Sequence, residues 1–317
     1  MRHLAARDAT RRAIMLALAA QGTMPWPSSA ATDQLPTLSE RFSSTRLKPL
    51  SDSMPSMDGD LRYPKWMAGK WRATNTAVGF TTPLGQRFVD PYLLKIGQQD
   101  ATSSKQRRYL LGYEEGFPPP AEQPTLTVRQ ARPFSTIQEE RAFTASKETV
   151  IERGVFTRNA AHPHGRVVLD VKNDITPDGK PLSPYVGAGW EVRKTVKSQL
   201  ELDIMWAAWE ESGDNAFVTS ELAVQRAELP RGAVDETYLE ILFRFERPSI
   251  TSAAEGQSPE APPPNAVRAR YRVAQYLSLP DAALPAAATK EARKLAKEAA
   301  GRAVALLDYD VLLERAG

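Results

Sequence analysis

A mostly-β fold, an antiparallel barrel built as one domain, is the architecture this sequence predicts, and three observations predict it. Residues alternate with a period of two over long stretches, as half-buried strands require. Leu200, Leu202, Ile204 and Trp206 stand against Glu201, Asp203 and Met205, and Leu239, Ile241, Phe243 and Phe245 against Glu240, Leu242, Arg244 and Glu246. Turn-forming groups divide the chain at Gly116 to Pro124, Pro177-Asp178-Gly179, Gly187 to Gly189, Ser212 to Asn215 and Pro248 to Asn265. Finally, Trp66-Met67-Ala68-Gly69-Lys70-Trp71 sets two tryptophans around a glycine where a strand begins, a pattern that suits a closing barrel.

Residues 1–31 read as a cleavable targeting leader. They offer a basic start, the pair Arg11-Arg12, an apolar run from Ala13 to Ala20 and small residues ending in Ser29-Ala30-Ala31. That run is too short to span a bilayer. Residues 32–61 are rich in Ser, Thr, Pro and Met with few large apolar side chains, and read as a disordered linker or as a strap lying on the barrel. Residues 62–317 then form the single barrel domain. Weaker alternation adds strands at Leu126 to Gln130, Thr149 to Phe156, Arg166 to Val171, Glu191 to Val196, Phe217 to Ala227 and Val267 to Leu277. The Ala/Lys/Glu-rich stretch from Ala286 to Ala300, with Gly301 as its cap, predicts one short surface helix before a last strand at Val304 to Arg315.

Composition narrows the function classes. The 317 residues carry 41 basic and 38 acidic side chains, but residues 1–31 hold four arginines and one aspartate, so the remainder is balanced. A balanced body has no long-range attraction to a phosphate backbone, which argues against nucleic acid as a partner. With no cysteine, disulfides, thiolate metal sites and cysteine nucleophiles are excluded. Mean hydropathy of -0.42 and the lack of any long apolar run predict no transmembrane span in the mature protein.

Gly69-Lys70-Trp71 on the first strand, with Arg315 on the last, resembles the end closure of lipocalins and fatty-acid-binding proteins. The resemblance implies a lipocalin-like barrel in which Trp71 plugs one end, Arg315 covers its indole, and Trp66 and Gly69 belong to the same closure. A planar guanidinium stacks on an aromatic face while donating to carbonyls, which an ammonium does less well. In addition, Tyr63-Pro64-x-Trp66-x-x-Gly69-x-Trp71, Pro83-Leu84-Gly85, Arg302-Ala303-Val304 and Asp308-Tyr309 look like an uncharacterised, thylakoid-associated family of cyanobacteria, algae and plants. That likeness implies the chloroplast thylakoid lumen, which a twin-arginine leader suits, with another export compartment as the alternative. It supplies no catalytic residues.

On this reading the interior, lined by Ile204, Trp206, Phe243, Phe245 and Tyr271, binds a small lipophilic molecule derived from pigment or lipid. Two other classes stay open. An assembly or stability factor docking on a photosynthetic complex would show an exposed aromatic patch and a solid interior. A cofactor-free isomerase or cyclase would hold a polar residue isolated in an apolar cavity.

The remaining candidates have a plain and a functional reading. Arg268, Arg270 and Arg272 share one face of a strand, either solvated or facing the cavity as an anion contact. Glu201 with Asp203, and Asp308 with Asp310, are same-face carboxylate pairs, which exposed strands produce more readily than acid/base catalysis does. His162-Pro163-His164 lacks the third and fourth ligands of a zinc site and reads as a surface turn, so no metal is expected. No P-loop, dinucleotide fingerprint, nucleophile elbow or H-E-x-x-H motif is present, so no cofactor is called for.

Overall fold

Period-two patterning runs through most of the chain, and in the computed structural model it forms ten antiparallel strands. The model describes residues 36–49, 60–118, 126–143, 149–175, 194–212, 216–228, 234–247, 266–279 and 290–316. The strands are β1 (Gly69–Thr81), β2 (Gln106–Glu115), β3 (Val128–Gln130), β4 (Thr149–Asn159), β5 (His162–Ile175), β6 (Lys194–Ser212), β7 (Ala216–Glu228), β8 (Val234–Glu246), β9 (Ala266–Tyr276) and β10 (Ala305–Arg315). Among the described residues, α1 (Leu38–Ser43) precedes the first strand, and α2 (Pro91–Thr102), α3 (Arg132–Phe143) and α4 (Lys290–Ala299) each lie between two strands. The leader at 1–31 and the turns at 177–179, 187–189, 213–215 and 248–265 lie outside the described residues.

All ten strands belong to one curled half-barrel sheet in the order β3-β2-β1-β10-β9-β8-β7-β6-β5-β4. First and last strands do pair, Trp71 opposite Arg315, but that seam sits inside the order, and the sheet's edges are β3 and β4. Curling brings distant strands together across the interior, where Tyr63 lies 5.9 Å from Phe217 of β7 and 5.0 Å from Tyr113 of β2.

Helix α3 fills the gap between the edges. It packs on β2, β4 and β5. Two glycines make the seat: a methyl at Gly112 would lie 3.2 Å from Ala131 and Phe134, and one at Gly154 would meet Ile137 at 3.0 Å. Ser135 Oγ accepts from the Gly112 amide at 3.1 Å, satisfying a donor that an edge strand would otherwise pair. Composition concealed this helix, since its inward stripe of Arg132, Thr136, Glu139, Glu140 and Phe143 is largely charged. The expectation of a single helix is thereby corrected. Asp90 caps α2 by accepting from the Tyr92 and Leu93 amides with Pro91 at its first turn, and α1 opens with a capping box between Thr37 and Glu40.

Within the stretch read as a linker or strap, residues 36–49 lie on the sheet's outer face. Leu38, Phe42 and Leu47 pack with Val218, Leu222, Leu242, Ala274, Tyr276 and Leu306. Three well-spaced apolar side chains suffice, because polar contacts hold the rest: Glu210 accepts from the Leu38 amide and Ser39 Oγ, and Arg272 donates to the Ser44 carbonyl. Beneath the strap Glu240, fully buried, accepts from Arg41, Ser220 and Tyr276 at 2.6–2.9 Å. Burial first, then the Glu240 carboxylate, pushes the Tyr276 hydroxyl well above its ordinary pKa.

Removing one partner of such a pair strands a charge in a low-dielectric site. Arg41→Met is expected to lower stability by about 3–5 kcal/mol in urea unfolding. Adding Glu240→Gln should restore part of the loss, whereas equal stabilities for wild type and R41M would show the strap to be unattached.

Candidate functional site

Strand parity decides which side chains enter the barrel, and one end of it is packed solid. Met67, Trp71, Tyr63, Tyr113, Phe217 and Phe245 belong to one buried cluster, with Trp66 and Trp209 packed against it. Trp71 Nε1 donates to the Met67 carbonyl at 2.7 Å, and the Arg315 guanidinium lies 4.3 Å from the Trp71 ring centroid while donating to the Ala68 and Trp66 carbonyls. Gly69 makes this approach feasible, since its φ is +111° and a methyl there would sit 2.7 Å from Arg315 Nη1. The structure thus brings Trp66, Gly69, Trp71 and Arg315 to one end of the barrel.

Above the plug runs an aromatic row at one level of adjacent strands. Phe243 of β8 stacks on Tyr271 of β9 at 4.4 Å, Tyr271 on Tyr309 of β10 at 5.3 Å, and Phe143 at the end of α3 meets Tyr309 edge-on at 5.9 Å. Over this floor opens a cavity of about 540 Å³. Leu200, Leu202, Leu239, Ile241, Val273 and Leu307 supply apolar walls from β6, β8, β9 and β10, Val167 and Leu169 add to them from β5, and α2, α3, β2, β3 and β7 contribute further lining.

The cavity is not uniformly apolar. Arg107 of β2 enters it, ion-paired to Asp100 of α2, with its guanidinium 4.3 Å from the Phe143 ring centroid. It is 7% exposed, and its Nε and Nη1 find no hydrogen-bond partner among the described residues. Across the interior Arg132 bonds Asp60 at 2.6 Å and both Glu221 oxygens. Burial opposes its charge, yet the two carboxylates hold its pKa above the ordinary arginine value.

Of the residues expected to line the cavity, Phe243 and Tyr271 do so. Phe245 lies in the plug. Ile204, buried, is not among the lining residues. Trp206 points the other way: a bulge in β6 skips Met205 between Ile204 and Trp206, which flips the face, so Trp206 packs under the strap and Trp209 takes the interior position. Period-two reading has no means of seeing one inserted residue.

The arginine row faces outward. Arg272 is opposite and ion-paired to Asp308 at 2.6 Å, Arg270 is opposite Asp310 at 4.0 Å, and Arg268 is opposite Leu312, so a contact from these residues to a cavity anion is corrected. Glu201 and Asp203 also lie outside, tied to Arg166, Arg226 and His162. His162 and His164 belong to β5 rather than to a surface turn, with His162 Nδ1 2.9 Å from Asp203 and His164 buried 6.1 Å from the Trp206 ring. Sequence reading missed Arg107, Asp100, Arg132 and Glu221. Arg107 had a signal, since Arg107, Tyr109, Leu111 and Tyr113 share the inward face of one strand.

No family model, curated protein or solved structure matches this chain.

The end closure yields two expected outcomes. Gly69→Ala, strained at positive φ and crowding Arg315, should cost about 1–3 kcal/mol in chemical denaturation. Arg315→Lys should cost about 1 kcal/mol through the lost stack, and an unchanged midpoint for either would contradict the cap. Buried Tyr63, Tyr113 and Tyr276 each have a pKa raised above 10.0, chiefly by burial. Above pH 10 the unfolded chain sheds these protons while the native chain keeps them, so stability holds below that pH and falls as it rises further. Ultraviolet titration should show these tyrosines ionising only with unfolding.

Proposed function

We propose that this protein is a small-molecule binding barrel whose ligand is amphipathic. The observation that carries the reading is the cavity of about 540 Å³ between the aromatic floor and the two helices. That size falls inside the range of about 300–1,000 Å³ typical of ligand sites. Aliphatic walls suit a lipid- or pigment-derived body. Arg107, already balanced by Asp100 and carrying two unpartnered donors, suits a hydrogen-bond-accepting end group. A bare hydrocarbon would leave those donors buried and unmet.

The exported or thylakoid-lumen compartment belongs to this proposal through the leader at residues 1–31. The docking-factor alternative has less support, since the interior is hollow and the exposed large apolar side chains among the described residues are Val78, Val150, Val155, Met205 and Val234, none aromatic.

Native mass spectrometry of the mature protein isolated from its own membranes should find a small molecule bound. With the recombinant chain, the neutral dye Nile red should bind with enhanced fluorescence. Leu239→Trp and Val273→Trp, each of which fills the cavity, should weaken it about ten-fold or more. Undiminished dye binding in both folded variants would refute a cavity site.

A further inference from the structure

Away from the cavity, where the two sheet edges approach each other, a group of cations lacks counter-charge. Tyr63 and Val128 point inward, which places Arg62, Thr127 and Arg129 on the outer side of their segments. The Phe117 ring holds two of the guanidinium groups, with Arg129 at 4.4 Å and Arg62 at 5.5 Å from its centroid. Arg62 is only 9% exposed. Its Nη1, the Thr127 hydroxyl and Arg129 Nε are all buried without a hydrogen-bond partner among the described residues. Buried polar groups are rarely left so, and three adjacent ones call for a missing acceptor.

Arg158 arrives from the opposite edge. It stands on the edge strand β4, in the exposed stretch that leads to the β4–β5 turn. Burial first and then the neighbouring arginines lower the pKa of Arg62, and burial and then Arg158 lower that of Arg129, so the three positive charges oppose one another. Asp60 opposes them, but its carboxylate is engaged by Arg132 at 2.6 Å. Glu114, across the ladder from Arg129, forms no ion pair with it among the described residues, and Glu115 pairs with Lys65. None of the three arginines lines the cavity.

We propose that Arg62, Arg129, Arg158 and Thr127 form a binding site for a phosphate monoester group, set at the seam between β3 and β4. Guanidinium forks match phosphate oxygens two at a time, and the Thr127 hydroxyl supplies a further donor. A dianion would neutralise most of the mutual repulsion. It would also bridge the two edges, where α3 rather than a backbone ladder holds the barrel closed.

The test uses the full chain in chloride buffer, with inorganic phosphate titrated at constant ionic strength and followed by calorimetry and thermal unfolding. Binding should saturate, and the unfolding midpoint should rise with phosphate. Arg129→Gln and Arg158→Gln should each weaken binding about ten-fold or more. In chloride alone R158Q should unfold no lower than wild type, because it removes a repelling charge. In a second arm, vesicles of phosphatidylcholine with and without phosphatidic acid are offered to the protein. Sedimentation dependent on phosphatidic acid and competed by phosphate assigns the group to a lipid headgroup, and phosphate binding alone assigns it to a soluble ligand. Absence of both, or full-strength phosphate binding in R158Q, overturns the site. Nile red binding in R129Q and R158Q should match wild type, so failure here and failure of the cavity reading are separately visible.

Discussion

A curled sheet whose edges do not pair must close its gap without a backbone ladder, and in this protein that closure depends on Arg132. Its guanidinium sits at the start of α3, reaches Asp60 beside the first strand and Glu221 on β7, and so ties the helix to both walls of the barrel. Three charges are removed from water to do this. Each is balanced only while the others stay in place, and the arrangement therefore specifies where α3 sits more than it adds net stability. The glycines at positions 112 and 154 set how deeply the helix can settle. Phe143, eleven residues along, is thereby delivered to the aromatic floor, where it meets Tyr109 and Tyr309.

This placement explains why the interior divides into two. Below the Phe243–Tyr271–Tyr309 row, aromatic rings from β2, β7, β8 and the segment preceding β1 fill the barrel end, and Arg315 covers Trp71 from outside. Above the row the inward side chains are mostly aliphatic or small polar groups, while the helices standing in for strands present charged stripes. Such a boundary leaves volume rather than close packing, and it makes that volume two-sided in polarity. The outer face is handled differently, with the strap of residues 36–49 covering apolar positions on β7 to β10 that would otherwise be exposed.

Much of this was legible in the residues. Alternation located β7, β9 and β10 within a residue or two and caught the later part of β8, but it broke β6 into two pieces, at Glu191 to Val196 and at Leu200 to Trp206. Gly69-Lys70-Trp71 and Arg315 marked the seam between β1 and β10. What escaped was whatever period two does not encode. The β6 bulge at Met205 reversed Trp206, and α3 was hidden by a charged inward face. The strap at Leu38, Phe42 and Leu47 was diluted by polar residues. The polar part of the cavity escaped for a related reason: Arg107, Asp100, Arg132 and Glu221 lie on four different elements, and only the tertiary fold brings them to one space.

The barrel is hollow above an aromatic floor, and a crystal structure of the protein pressurised with xenon would reveal that space, since apolar voids take up this gas. Xenon density is expected against Ile241, Val273 and Leu307, over the Phe243–Tyr271–Tyr309 row. Interlocked side chains in that space, with no xenon inside the barrel, would contradict it.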